Sequence, residues 1–560
     1  MYRLIGRCAA LSTSRRLRQF QKNLPRSRRI QDEILLQVLR ANRQSRFGHR
    51  HSFARIRSYR DYSHSLPLCQ YDYFAPYIDC CRKGDTNALF GPSQKLLMFA
   101  LTSGTTAPAK YIPVTSRVAT AYHHGWNIWG IKALSDHPDC FYRKILQVTS
   151  PAQEFFTESG LPCGAISGML ARRQKFIVRR FYAVPYCLSE IPEPQDRYYS
   201  LMRFALAEDV ALFSTANPST ALTLARTAEK HAEKLIRDIR DGSLDQSVFL
   251  TPSLSRRLTS RLHPQPTRAR QLEQLLQKHG RLLPQHYWNL SFLAHWTGGT
   301  LGLYIPQLRE YYGQIPIRDI GLLASEGRMS IPLEDNTPAG VLDIQSNFYE
   351  FIPEQEIENL DLPPDAEILP DHLTVLRAED LEKGACYYIL LTNFAGLYRY
   401  HIGDLVRVTD FIGSTPVIEF LSKGAHFSSL TGEKLTEHQV VAVVNKILNE
   451  MSLDLDTYLL APVWSDPPGY CLYVQVRSSL LPEKLNLLAE QVDRQLFDQN
   501  IEYSSKRKST RLAPLRAQQV PDDALTSRDH RLLNDNHGRA EQFKHRFLLN
   551  QPLKLDKIIL

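Results

Sequence analysis

An α/β fold in two domains is what the sequence predicts, and three observations carry the prediction. At 560 residues the chain exceeds what one ordinary hydrophobic core can serve. From Lys95 onward, short apolar runs alternate with segments of helical period. Beyond Lys423-Gly424 the texture changes to a helix, strand, helix pattern of about 135 residues, within the usual domain range. The expected division is therefore 1–423 for a large domain and 424–560 for a small α+β one.

The elements follow in order. In "RIQDEILLQVLRAN" (29–42), Ile34, Leu35, Val38 and Leu39 fall at helical spacing and predict a helix. The aromatic, punctuated stretch from Ser52 to Asp85 predicts short helices and turns. Strands are expected at 144–150, 210–216, 315–325, 348–353 and 386–394, and helices ending at glycine at 219–242 and 268–280. The acidic, proline-containing segment 353–371 reads as a solvated surface excursion. In the small domain, helices at 436–451 and 481–498 flank a strand at 470–476.

Composition narrows the function classes. An apolar share of 43% with 22% charged residues fits a globular protein, and no run of about 18 uncharged apolar residues suggests a membrane span. The nine cysteines form no CxxC pair and no secretory apolar core precedes them, so reduced thiols in a cytoplasmic setting are expected, without a zinc framework. The net charge of +10 is uneven: residues 1–31 carry nine Arg or Lys and no acid. This basic segment reads as a helix on the protein body or on an anionic surface, with a mitochondrial presequence as the alternative. No interleaved aromatics or reading motif accompany it, so no nucleic-acid partner is expected.

Three stretches could carry chemistry. "TSGTTAPAK" (102–110) follows a strand-like run. Its glycine and hydroxyls suit a phosphate-wrapping turn, although it lacks the GxxxxGK[ST] pattern and an ordinary turn has the same composition. "GLLASEGRMSIP" (321–332) is read as a strand delivering Ser325, Glu326 and Gly327 at its carboxyl end, where ligands sit in open α/β sheets. A carboxylate there could hold nucleotide-bound Mg²⁺, or simply face water. In "GLYRYHIGDLVRV" (396–408), Gly403-Asp404 is read as a tight turn whose acid could accept ribose hydroxyls or pair with a neighbouring arginine.

Other features carry less. His123-His124 lacks the trailing acid of an HHxxxD acyl-transfer motif, and "GAISGM" departs from GxSxG. Trp296 and Gly298-Gly299 are read either as a pocket border or as a core turn.

In this order, "LTSGTTAPAKYIPVT", "ASEG", "GLYRYHIGDLVRV" and "GEKLTEHQV" resemble the auxin-responsive acyl-acid amido synthetases, the Gretchen Hagen family of plants and its bacterial relatives, within the adenylate-forming, luciferase-like superfamily. Most of the chain takes part, from "RFGHRHSFARIRSYRDY" to "GRAEQFKHRF". The resemblance implies a large adenylate-forming domain of mixed sheets, helices and a β-barrel-like part, with a mobile small lid domain.

It further implies a ligase that activates a small carboxylic acid with ATP and Mg²⁺ and transfers the acyl group to an amine, such as an amino acid. An acyl-CoA ligase or a weakly active nucleotide-binding relative is the alternative, and a monomer or weak dimer is expected. Residue by residue, Ser103, Gly104, Thr105, Thr106 and Lys110 would cradle phosphates. Glu326 would hold the metal ion, Ser325 would lie near the α-phosphate, Asp404 would grip the ribose, and Lys544 would reach in from the small domain. Two departures stand out: Ala107-Pro108 replaces a second loop glycine, and Leu322-Leu323 replaces an adenine-stacking aromatic, which implies aliphatic packing there.

Overall fold

The computed structural model describes residues 15–102, 110–174, 176–358, 360, 366–423, 427–428, 430–431, 433, 435–476, 479–510, 512–535 and 545–553. Contacts divide the chain into a larger unit, residues 1–353, 361–402 and 406–420, and a smaller one, residues 354–360, 403–405 and 421–560.

Among the described residues, three sheets have most of their strands in the larger unit. Strands Lys144–Gln147, Val210–Ser214, Phe292–Ala294 and Ile317–Arg318 pair in that order, all parallel. Helices Pro218–Lys230 and Ala232–Asp241 follow the second strand, and the latter ends where Gly242 takes a left-handed conformation at φ +69°. A second sheet joins Leu96–Thr102 to Lys110–Thr115 in an antiparallel hairpin and, on its other edge, to Pro162–Gly164 in parallel. The third sheet has six strands, in the order Phe348–Pro353, Cys386–Thr392, Tyr400–Ile412, Thr415–Lys423, Gly340–Leu342 and Ser330–Ile331.

One continuous apolar core serves these sheets. The helix Ser27–Asn42 contributes Leu35, Val38 and Leu39 to it, as its periodicity predicts. Helix Ser116–Asp136 starts where the Thr115 hydroxyl accepts the Val118 N–H, and its stripe of Val118, Tyr122, Gly125, Trp129 and Ala133 is buried.

Two sequence expectations are corrected. The strand foreseen over 315–325 ends at Arg318. The buried Asp319 carboxylate turns back to accept the Gly321 N–H at 2.6 Å and the Thr297 hydroxyl at 2.8 Å, and Gly321 itself sits at φ +89°. A backbone bent by those bonds cannot continue a ladder. The second correction concerns Gly403-Asp404, which makes no turn: both residues lie inside the strand Tyr400–Ile412, with Gly403 at φ +83°. The chain reverses earlier, where the Asn393 side-chain oxygen accepts the Ala395 N–H at 2.9 Å and the Asn393 backbone N–H donates to the Leu397 carbonyl at 3.0 Å.

The acidic segment 353–371 is only partly described, and its end is no free excursion. The Leu369 N–H donates to the Leu68 carbonyl and the Gln70 N–H to the Glu367 carbonyl, both at 2.8 Å.

In the smaller unit, strands Thr457–Val463 and Gly469–Gln475 form an antiparallel pair extended in parallel by Arg516–Gln519. Helix Glu437–Glu450 opens on a capping box between Thr436 and Gln439, and helix Pro482–Gln499 supplies Leu488, Val492 and Leu496 as a buried face. Among the described residues no helix is long and apolar enough to cross a membrane.

Candidate active site

The segment "ASEG" forms a two-residue hairpin turn. The Ala324 N–H donates to the Gly327 carbonyl at 2.9 Å, and the Gly327 N–H returns to the Ala324 carbonyl at 3.2 Å. Leu323 and Arg328 pair across its base. A turn this short has little ladder of its own, so buried side chains hold it. The Tyr122 hydroxyl donates to the Ala324 carbonyl, and Asn393 Nδ2 donates to the Glu326 carbonyl at 2.7 Å. The Arg328 carbonyl accepts from Asn347 Nδ2 at 2.8 Å and from the Tyr349 hydroxyl at 3.0 Å. The Trp296 indole N–H donates to the Gly321 carbonyl at 2.8 Å, fixing the approach to the turn.

The turn also touches the strand that precedes the hydroxyl-rich segment in the sequence. The Ser325 hydroxyl lies 3.5 Å from the Leu101 carbonyl, at the end of Leu96–Thr102. Thr102 and Lys110 face each other in register, so residues 103–109 connect the two strands of this hairpin. Ser103, Gly104, Thr105 and Thr106 lie outside the described residues. Lys110 is described, its ammonium 5.1 Å from the centre of the Tyr71 ring.

Glu326 is 3% exposed, and its carboxylate accepts from the Tyr400 hydroxyl at 3.4 Å. Tyr122, buried in the same neighbourhood, has its hydroxyl pKa raised by burial and by the Glu326 charge. Arg328 is wholly buried, which lowers its pKa to about 10, and Asp343 and Tyr122 oppose that shift. Its Nη2 donates to the Ile320 carbonyl at 2.6 Å and its guanidinium lies over the Trp126 ring at 4.7 Å. Gly125 makes room for it, since a Cβ there would sit 2.2 Å from Arg328 Cδ.

Asp404 is 3% exposed, four residues beyond Tyr400 on the same strand. The two arginines of its stretch pair elsewhere. Arg399 is bound to the buried Glu350 at 3.0 Å, and Arg407 is bound to Glu419. Arg399 also donates to the carbonyls of Ser63 and Leu66, and this set of bonds holds its backbone at φ +45°, immediately before Tyr400. Lys544 lies outside the described residues. The neighbouring His545 is buried in the smaller unit, with Nδ1 on Asp529 and Nε2 2.9 Å from the Tyr458 carbonyl.

Sequence reasoning missed Tyr122, Asn393 and Tyr400. Asn393 carried a signal, being a turn-forming residue after the apolar run 386–392; Tyr122 carried none beyond its helical spacing. The donor set suits Mg²⁺, whose usual protein ligands are one or two carboxylates with water and phosphate completing the shell. Glu326 offers such a buried carboxylate, and no cluster of three potential metal ligands occurs among the described residues.

Comparison with known proteins bears on most of the chain. The GH3 family N-terminal domain matches residues 16–317, the central domain 340–423 and the C-terminal domain 438–553. The chain belongs to the GH3 family. Among curated GH3 relatives, a jasmonoyl–L-amino acid synthetase of Oryza sativa subsp. japonica is 25% identical over 507 residues, covering 87% of this chain and 86% of that protein. An indole-3-acetic acid-amido synthetase of Arabidopsis thaliana is 23% identical over 474 residues, covering 80% and 79%. The solved structure of the GH3.15 acyl acid amido synthetase shares the fold, with a TM-score of 0.82 at 18% identity over 97% of this chain and 95% of that one. The mixed α/β architecture with a large N-terminal and a smaller C-terminal domain is thus the GH3 fold.

Proposed function

We propose that this GH3 protein is an acyl acid amido synthetase: it activates a small carboxylic acid with ATP and joins the acyl group to an amine, with an amino acid as the expected acceptor. The observation that carries this reading is the hairpin turn of Ser325 and Glu326, bonded at Leu101 to the strand that leads into the hydroxyl-rich loop. The amide-forming activities named for the curated relatives support it.

In the first half-reaction a carboxylate oxygen attacks the α-phosphorus of ATP, and the bond to pyrophosphate breaks. Both partners are negative, so the protein's work is to position them and screen their charge. Ser103, Gly104, Thr105, Thr106 and Lys110 would bind the phosphates, Ser325 would orient the α-phosphate, and Asp404 would accept from the ribose hydroxyls. Glu326 would hold Mg²⁺, which when bound supplies charge neutralisation on the phosphate oxygens. In the second half-reaction the amine nitrogen attacks the acyl carbon, AMP departs and the nitrogen loses a proton. Residues 424–560 would act as a lid that brings Lys544 to the phosphates and withdraws it between the two steps. A cytoplasmic setting with free thiols agrees with this chemistry.

The test is acid-dependent pyrophosphate release across a panel of carboxylic acids, followed by mass spectrometry with amino acids or CoA as second substrate. Glu326→Ala and Asp404→Ala are each expected to abolish release. Retained activity in both would sink the assignment, and a thioester product would replace amide formation with CoA ligation.

A further inference from the structure

A cavity of about 1560 Å³ opens in the larger unit and shares no lining residue with the candidate active site. Its wall runs from Val148 and Thr149, just past the carboxyl end of the strand Lys144–Gln147, along residues 182–190 and on to Arg261. Seven cationic side chains line it against two acidic ones.

Both acids are already engaged. Glu190 accepts from both terminal nitrogens of Arg257, at 2.6 and 3.3 Å, and Glu208 lies 3.9 Å from Lys144. The remaining cations are arginines, of which Arg180 and Arg197 have partners of their own. Arg179 is fixed by the carbonyls of Gln174 at 3.0 Å and Arg172 at 2.6 Å. Arg197 is 8% exposed and donates to the Ile191 carbonyl at 3.4 Å. Arg172 and Arg261 are exposed at the wall and have no acidic partner among the described residues. Two tyrosines stand in the same wall with anchored hydroxyls: Tyr182 accepts from Gln174 at 2.8 Å and Tyr186 from the Ala152 N–H at 2.8 Å.

Arg172, Arg179 and Arg261 line one hollow with no acidic partner among the described residues, and a concave wall focuses their field on whatever enters. Each planar fork matches a phosphate or carboxylate through two parallel hydrogen bonds. A monocarboxylic acid could engage one of these three forks and would leave the other two without an anion. The volume also exceeds the ~300–1,000 Å³ of pockets that take drug-sized ligands. We infer that this cavity binds a phosphorylated small molecule bearing two or more phosphate groups, at a site separate from the one around Glu326.

The test uses the full chain and inorganic tripolyphosphate as the probe, followed by titration calorimetry. Wild-type protein is expected to show a binding component that weakens with added salt. In the Arg172→Gln/Arg261→Gln double variant that component should weaken at least tenfold, while acid-dependent pyrophosphate release at saturating ATP stays unchanged. The Arg172→Lys/Arg261→Lys variant keeps the charge without the fork and should fall between the two. Tripolyphosphate binding that is unchanged in the glutamine variant would overturn the cavity assignment while leaving the reading of Glu326 and Asp404 intact.

Discussion

Glu326 and Asp404 are equally buried, at 3% exposure each, yet the backbone beneath them is held in opposite ways. Asp404 rides a thirteen-residue strand inside a six-stranded sheet, where ladder hydrogen bonds fix the main chain. Glu326 sits on a hairpin turn with a single bridged pair at its base, and its position depends on side chains from a helix, Tyr122, and from the reversal at Asn393. A carboxylate on a strand is therefore robust to loss of one neighbour, whereas one on a turn inherits the precision of every side chain that grips it.

That contrast can be broken first at Asn393. Asn393→Ala removes the donor to the Glu326 carbonyl and the acceptor of the Ala395 N–H, leaving buried backbone groups unsatisfied. A loss of about 2–6 kcal/mol in chemical denaturation is expected from two such groups. With it should come a fall in kcat for pyrophosphate release that exceeds any change in the KM for ATP. Equal kcat in variant and wild type would show that the turn holds itself.

A smaller effect is expected on the strand. Gly403 adopts φ +83°, so Gly403→Ala should cost about 1–2 kcal/mol in backbone strain, read as a lowered denaturation midpoint. Activity in the surviving folded fraction should remain, because the ladder still fixes Asp404. Loss of activity without loss of stability would reverse the comparison.

The smallest expected effect sharpens the view of the segment next to Lys544. Burial opposes charge on His545, but the Asp529 carboxylate outweighs it and raises the His545 pKa above the ordinary value near 6.5. A raised folded pKa gives stability that is complete below the unfolded value and is lost as pH climbs through the raised one. Wild-type Tm should therefore fall as pH climbs above the ordinary histidine value, by an amount that Asp529→Asn lacks. Parallel Tm profiles in the two proteins would exclude the pair as a source of stability.

Much of the fold was legible because its signals are local. The spacing of Leu35, Val38 and Leu39 reports a helix wherever it packs, and Gly280 at φ +69° ends Pro266–His279 as a left-handed terminator should. The order of the four motifs along the chain likewise points to the GH3 family. Local pattern misled where a distant group overrode it. The apolar run 315–325 has strand composition, but Asp319 and Thr297 bend it after Arg318. Gly403-Asp404 has turn composition, but Asn393 completes the reversal upstream and the strand absorbs the glycine.

By itself, then, the sequence determined the α/β class, most helices and strands, the family, and the residues worth testing, since each follows from periodicity, residue chemistry or motif order along the chain. Only the tertiary structure decided that Ser325 and Glu326 ride a turn gripped by Tyr122 and Asn393, and that arginines from segments as far apart as 172 and 261 share one cavity. Those relations depend on contacts between residues remote in sequence, and the repulsion or hydrogen bonding they create has no counterpart in any local window.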